Sequence, residues 1–151
     1  MKPTKKSERQ GWMSALARSD YSHLKNVWSQ LNLSPEHHII RAAETGLIQI
    51  QSRMGATGNA FNIGDMTVTR SVVKLPSGEM GYSYIKGRNR AHAHLAALID
   101  ALMQNSHYAE QLKDQVITPL AATMAKHTEL RRRQIATSKV DFFTVVRGED
   151  E

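Results

Sequence analysis

The chain has 151 residues, of which 40% are hydrophobic and 23% charged, and its formal net charge is +6. This composition is typical of a soluble globular protein, and the length predicts one domain over residues 1–151, with flexible ends at 1–8 and 149–151. Cysteine is absent, which excludes disulfides, a thiolate nucleophile and any zinc or iron–sulfur site with cysteine ligands from this chain.

The apolar pattern and the charge bear on location and partners. No apolar run approaches the ~20 residues of a membrane-spanning helix. The basic first 19 residues lack the uninterrupted apolar stretch of a secretory signal, so we expect a cytoplasmic protein that binds no membrane. The positive charge favours anionic partners, although the densest basic run, at 131–133, lies near the end of a predicted helix and complements its dipole.

The N-terminal third predicts two helices followed by extended chain. Residues 8–31 have apolar side chains at helical spacing in two short segments, and Asp20 is a suitable N-cap for the second. Over residues 37–54, β-branched residues and alternation predict strands, with Gly46 marking a bend or bulge.

A β-hairpin is predicted next. Residues 66–75 alternate between apolar and polar side chains, and residues 79–87 form the returning strand. Proline and glycine at 76–78 are placed as a tight turn requires.

The last third predicts three helices and a closing strand. Because proline suits a first helical turn but not an interior, Thr118-Pro119 separates the second of these helices from the third. The fold class is therefore α+β, a mostly antiparallel sheet with N-terminal and C-terminal helices packed on it. The helices are expected at 88–104, 106–117 and 118–136, and the strand at 139–148.

The glycine-rich stretch at 53–70 lacks the spacing of a phosphate loop. Gly58 and Gly64 are one residue too far apart for GxxxxGK[ST], and no GxGxxG is present. Gly55 and Gly58 match the GxxG of a KH domain only in their two glycines. The stretch predicts a strand, a glycine-rich connection and another strand. It serves either as a structural turn or subunit contact, or as a contact to phosphate or nucleotide.

The histidines do not predict a metal site. His92 and His94 point about 200° apart on a helix, whereas His37 and His38 point to opposite faces of a strand. We therefore expect no metal bound by this chain alone, and no Ser–His–Asp arrangement is recognisable.

The closing strand carries two adjacent phenylalanines, Phe142 and Phe143, which face opposite ways on a strand. A strand that is apolar on both faces is buried in a larger sheet or under a partner, or it is a central strand of this domain's own sheet.

Four sequence blocks are long and specific. They are RAAETGLIQIQSRMGATG at 41–58, GYSYIKGR at 81–88, LIDALMQ at 98–104 and VDFFTVVRG at 140–148. Together they resemble the PhnG family of the carbon–phosphorus lyase core complex, in order from about Trp12 to Gly148. The resemblance implies a non-autonomous subunit in organophosphonate catabolism, working with PhnH, PhnI and PhnJ and assisted by PhnL.

The resemblance also implies the chemistry of the complex. A phosphonate displaces adenine from ATP, which gives α-D-ribose 1-methylphosphonate 5-triphosphate when the substrate is methylphosphonate, so the complex is a transferase. The iron–sulfur cluster and S-adenosylmethionine of the later C–P cleavage belong to PhnJ. No cofactor and no independent activity are therefore implied for this chain, and no nucleic acid is implied as a partner.

The family provides no established catalytic residues, so the matched blocks supply only candidates. Each has a structural interpretation too, as an intrachain ion pair or hairpin contact. The candidates for substrate or subunit contact are Arg41, Glu44, Arg53, Gly55, Thr57, Gly58, Arg70 and Arg88. The candidates for interface or core are Phe142, Phe143 and Arg147.

A second interpretation is a nucleic-acid-binding regulator. Residues 20–46 fit two helices and a turn, with Ser34-Pro35 starting a recognition helix that Gly46 ends. Only Arg41 and two histidines would then face base edges. The two interpretations differ in whether residues 37–45 are strand or helix, while an autonomous nucleotide hydrolase lacks every expected motif.

Overall fold

A computed structural model describes residues 7–137, apart from the side chain of Ala56. It has the expected α+β architecture, with a three-stranded antiparallel sheet and helices before and after it in the chain. The predicted closing strand at 139–148, with Phe142, Phe143 and Arg147, lies outside the described residues. The same holds for residues 1–6 and for the predicted flexible tail at 149–151.

The helices begin where the sequence provides caps. Ser7 and Gln10 form a capping box at the first helix, and the predicted N-cap Asp20 accepts a hydrogen bond from the backbone N–H of His23. In chain order the elements are α1 (Glu8–Arg18), α2 (Tyr21–Leu31), β1 (His38–Arg53), a 3-10 turn (Met54–Ala56), β2 (Ala60–Lys74), β3 (Met80–Lys86), α3 (Arg90–Met103), α4 (Ser106–Leu112), a π-helical turn (Lys113–Ile117) and α5 (Thr118–Thr137).

The strand order is β1-β2-β3, and both pairs are antiparallel. The predicted β2–β3 hairpin is confirmed, and its turn uses Gly78 at φ +110°, which glycine tolerates. β3 ends at Lys86, opposite Val68. Residues 46–67 therefore continue beyond β3 as a two-stranded ribbon with its own connection, which we call the hairpin arm.

The helix–turn–helix interpretation is wrong. Residues 38–46, most of the expected recognition helix, lie in β1 (His38–Arg53), which pairs with β2. The alternation of apolar and polar residues over this stretch outweighs the helix-start signal of Ser34-Pro35.

The expected bulge at Gly46 is also wrong. Gly46 is paired in register with Val68, and the register shifts of the β1–β2 pair lie between Ile39 and Glu44 and again between Ile50 and Gln51. Gly46 does not have a positive φ, and a Cβ there would meet nothing within 4 Å, so an ordinary strand conformation suffices.

The predicted boundary at Thr118-Pro119 is confirmed, since α5 begins at Thr118, although the chain remains helical across this boundary. The helical chain widens into the π-helical turn and continues directly as α5. Proline lacks an N–H and clashes with an α-helical carbonyl four residues earlier, and the wider turn changes this hydrogen-bond pattern. The Thr118 hydroxyl donates to the carbonyl of Lys113 at 2.9 Å, which supports the turn.

The core is built around α3, which packs against the sheet and against the surrounding helices. Gly81 on β3 and the alanines of α3 let the strand and the helix approach closely. A Cβ on Gly81 would lie 1.9 Å from the carbonyl oxygen of Ala97. By contrast, Leu47 on the hairpin arm is 69% exposed. No described helix is long and apolar enough to cross a membrane. The main core side chains are Leu16, Leu24, Val73, Ile85, Ile99, Leu102, Leu112 and Leu120.

Candidate functional site

The sheet surface that faces away from α3 carries several of the polar candidates. Ser83 is buried and faces α3, where its hydroxyl donates to the carbonyl of Ala93 at 2.6 Å. Because side chains alternate along a strand, Tyr82 and Tyr84 lie on the opposite surface, together with Arg70 across from Tyr84. We call this surface the outer face, and its members are Ile40, Arg41, Glu44, Arg70, Val72, Tyr82 and Tyr84.

Three predicted candidates meet on the outer face in one ion-pair cluster. Glu44 lies opposite Arg70 in the β1–β2 register, and its Oε1 accepts a hydrogen bond from Arg70 Nε at 2.8 Å. The same oxygen lies 3.3 Å from Arg41 Nη1. The hydrogen bond to Glu44 raises the pKa of Arg70, and Tyr84 acts in the same direction. These side chains are half exposed, so the pairs add little stability and both guanidinium groups remain accessible.

A shallow depression of about 380 Å³ lies beside this cluster. Its walls combine aliphatic, tyrosine and arginine side chains, and Tyr84 is 54% exposed. Tyrosine and arginine are the side chains that most often dominate binding energy at protein interfaces. The spacing of Tyr82 and Tyr84 puts them on one strand face, but their position beside Arg70 depends on the register of β2 against β3.

The remaining candidates of the glycine-rich stretch lie at the tip of the hairpin arm. Arg53 Nη1 donates to the carbonyl oxygen of Gly58 at 3.4 Å, and the Thr57 hydroxyl lies 3.5 Å from the carbonyl of Gly55. Gly55 has φ +60°, and a Cβ on Gly58 would lie 2.7 Å from the carbonyl oxygen of Met54. The predicted strand–connection–strand is confirmed, and both glycines are needed for the shape of the connection.

The candidates therefore form separate groups. Glu44 and Arg53 are nine residues apart on β1, which corresponds to about 30 Å at the rise of an extended strand. Arg88 lies in the turn between β3 and α3 and is exposed. Phe142, Phe143 and Arg147 lie outside the described residues.

An ion pair between a buried carboxylate and a partly exposed arginine, which the sequence did not predict, joins α1, α3 and β3. Asp100 is fully buried; it accepts from Arg9 Nη2 at 2.7 Å, from Trp12 Nε1 at 2.8 Å and from the backbone N–H of Tyr82 at 2.9 Å. The hydrogen bond to Asp100 raises the pKa of Arg9. The Arg9 guanidinium also lies 5.6 Å from the ring centroid of Tyr82. The one signal in the sequence was an acidic residue in an apolar helical stripe.

The histidines that meet in the structure are not the ones that are adjacent in the sequence. His37 meets His94, with 3.2 Å between their Nε2 atoms, and His37 Nδ1 lies 3.0 Å from the carbonyl of Pro35. Burial lowers the pKa of His94, and the nearby His37 adds to this. His92 points inward instead, with Nε2 2.9 Å from the carbonyl of Leu16. No cluster of three or more potential metal ligands occurs within residues 7–137.

Within residues 7–137, the candidates thus lie on an exposed sheet face, on a projecting arm and, for Arg88, in the turn before α3. The fold and the site define a small α+β domain whose exposed surfaces carry the candidate residues.

Comparison with known proteins identifies the family. The family model described as "Phosphonate metabolism protein PhnG" matches residues 7–148. The chain is also 37% identical, over 147 residues, to the alpha-D-ribose 1-methylphosphonate 5-triphosphate synthase subunit PhnG of Rhizobium meliloti (strain 1021), covering 95% of this chain and 92% of that protein. The chain belongs to the PhnG family, as the four sequence blocks indicated.

Proposed function

We propose that this chain is a non-autonomous subunit of an α-D-ribose 1-methylphosphonate 5-triphosphate synthase in organophosphonate catabolism. It supports a transferase reaction in which a phosphonate displaces adenine from ATP. The observation that carries the proposal is the 37% identity, over nearly the whole of both chains, to a protein named as a subunit of that synthase.

The geometry of the outer face favours an auxiliary role in an assembly over a self-contained active site. The outer face presents two arginines and one glutamate around a shallow depression of about 380 Å³. Such a surface can bind an anionic group or a partner protein, but it does not exclude water as a phosphonate-transfer site must. We therefore expect no turnover by the purified chain alone.

We propose PhnH, PhnI and PhnJ as the partner subunits, with PhnL assisting, in the cytoplasm. ATP and phosphonate are substrates of the assembly, and the iron–sulfur cluster and S-adenosylmethionine of later C–P cleavage are held by a partner. This chain, which has no cysteine, supplies no thiolate ligand to such a cluster. Neither nucleic acid nor a membrane belongs to the proposed set of partners.

We further propose that the outer-face cluster of Arg41, Glu44 and Arg70 contacts either the triphosphate of the substrate or an acidic partner surface. Arg53, Gly55, Thr57 and Gly58 form a second contact at the tip of the arm. Arg88 is a third candidate, in the turn that leads into α3. Because the first two groups are about 30 Å apart, they serve different contacts.

Reconstitution tests the proposed function. The assembly is purified with and without this chain and incubated with ATP and methylphosphonate, and adenine release and phosphonate-ester formation are measured. We expect ester formation only with the chain present. Equal ester formation without it, or turnover by the chain alone, would contradict the proposal.

A charge variant separates the two possible contacts of the outer face. Arg70→Ala in the assembly raises KM for ATP if Arg70 contacts the triphosphate, whereas it releases this chain from the assembly if Arg70 contacts a partner. Arg132→Ala on α5, another exposed arginine, is the matched control and leaves both quantities unchanged.

A further inference from the structure

One edge of the sheet is closed by side chains. The N–H of Tyr82 on β3 points away from β2 and donates to Asp100 Oδ2 at 2.9 Å. The carbonyl of Met80, on the same edge, accepts from Arg9 Nη2 at 3.0 Å and from Gln104 Nε2 at 2.7 Å. A carboxylate and two side-chain donors thus take the hydrogen bonds that another strand would make, and α1 lies beside them.

The direction of one backbone amide determines the directions of its neighbours, because successive N–H groups on a strand point to opposite edges. Since Tyr82 points away from β2, its partner Val72 points toward β1. The hydrogen bond from the Gly87 N–H to the carbonyl of Thr67 agrees, because Thr67 has the other parity and points toward β3. The β1–β2 register carries this alternation over to β1. The β1 residues whose backbone groups point away from the sheet are Thr45, Leu47, Gln49 and Gln51.

Within residues 7–137, this β1 edge is open. Between residues 45 and 52 the sequence is TGLIQIQS, without a charge or a proline, the residues that usually protect an edge strand. In the described part of the chain, no side chain is hydrogen-bonded to the backbone of these residues, and Leu47 is 69% exposed. The sheet therefore has one protected edge and one edge prepared for pairing.

We propose that residues 45–52 of β1 are a docking strand, along which an extended, acidic segment of another subunit of the assembly adds as a further strand. The inference rests on the proposed function and specifies where the assembly is made. Main-chain hydrogen bonds to the four outward-pointing residues provide the affinity, as in other strand-addition interfaces.

The charges near β1 indicate which kind of strand binds to its edge. Arg41, Arg53 and Arg70 outnumber Glu44 and Asp65 along β1 and the adjacent part of β2, and the whole chain carries +6. Edge-to-edge pairing of two copies would bring these basic surfaces together, whereas an acidic strand is attracted to them. The charges thus disfavour a second copy, and they equally disfavour residues 139–148 of this chain, which carry Lys139 and Arg147 against Asp141, so the occupant is an acidic strand of a different chain.

The test uses the tagged full chain co-expressed with the other subunits of its own assembly. Gln49→Pro removes one outward N–H, which proline tolerates on an open edge, whereas Gln49→Ala keeps it. Leu47→Lys places a charge on the same edge without touching the core. We expect Gln49→Pro and Leu47→Lys to lower recovery of the partners about tenfold or more, and Gln49→Ala to match the unmodified chain.

The outcomes are distinguishable. If the unmodified chain does not recover the partners, the proposed function fails as well. If it does and both edge variants recover them equally well, the docking strand is wrong but the proposed function stands. Urea unfolding of each isolated variant shows whether a loss of partner recovery reflects misfolding. If Gln49→Pro is misfolded, partner recovery by Leu47→Lys decides whether the docking strand is correct. A homodimer that light scattering detects, and that Gln49→Pro abolishes, overturns the choice of occupant.

Discussion

The two edges of one small sheet differ in how they meet solvent. At β3, the side chains of Asp100 and Arg9 bond to the backbone of Met80 and Tyr82, and α1 lies alongside. At β1, residues 45–52 have no such protection in the described part of the chain. The difference shows that an edge is closed by residues distant in sequence, here 91 positions apart, and that an open edge indicates where a partner is expected.

The largest expected effect comes from opening the protected edge. Asp100→Ala leaves Arg9, the Trp12 N–H and the Tyr82 N–H without their acceptor. We expect the free energy of unfolding, measured by urea denaturation, to fall by about 2–4 kcal/mol, because each buried donor left without a partner costs about 1–3 kcal/mol. Asp114→Ala, at an exposed acidic residue of the π-helical turn, is the control. A change below about 1 kcal/mol in Asp100→Ala would contradict a protective role.

Two glycine substitutions compare the packed strand with the open one. In Gly81→Ala, the new Cβ would lie 1.9 Å from the Ala97 carbonyl oxygen and 2.6 Å from the Ala101 nitrogen. We expect a loss of about 1–3 kcal/mol or more, because backbone must move. Gly46→Ala meets nothing within 4 Å and should change stability by less than about 0.5 kcal/mol. Equal losses in chemical denaturation would show that the arm is packed too.

The pH dependence of stability tests the packed part of the molecule through His92, which lies on α3 and contacts the carbonyl of Leu16 on α1. Burial lowers its pKa in the folded chain, so the unfolded chain binds a proton more readily. Stability is therefore complete above the unfolded value of about 6.5 and is lost as the pH falls below it. Urea midpoints measured between pH 8 and pH 5 should fall, and more gently in His92→Gln. Parallel pH profiles in the two proteins would exclude His92 as a source of the loss of stability at low pH.

The smallest expected effect is on the arm. Leu47→Ala removes a side chain that is 69% exposed, so the isolated chain should keep its unfolding free energy within about 0.5 kcal/mol. Ile99→Ala, in the core and fully buried, should cost about 2–5 kcal/mol under the same conditions. A comparable loss in Leu47→Ala would mean that the arm already has a cover within the chain.

Local signals in the sequence predicted most of the described fold. Alternation gave β1 and β2, although the six residues at 60–65 were missed because glycine and polar residues interrupt the pattern. Asp20 was predicted as a cap because capping depends on adjacent residues. Pro119 correctly predicted where α5 begins, whereas the π-helical turn before it was not predicted, because proline statistics do not contain this local accommodation.

The candidate surfaces were only partly predictable. Arg41, Glu44 and Arg70 were named as separate charges, and it is the pairing of Glu44 opposite Arg70 that makes them one cluster. The Arg9–Asp100 pair and the His37–His94 contact depend on tertiary packing between distant segments, for which one sequence carries no periodic signal. The open edge of β1 likewise becomes visible only when the strand order is known.

The most direct test of the open edge is amide hydrogen exchange, resolved by residue, of the free chain and of the purified assembly. Thr45, Leu47, Gln49 and Gln51 should exchange rapidly in the free chain and become at least about tenfold slower in the assembly. Gly46, Ile48 and Ile50, which already bond to β2, should change much less. Rapid exchange at the four outward amides in an assembly that retains the chain would contradict strand addition at β1.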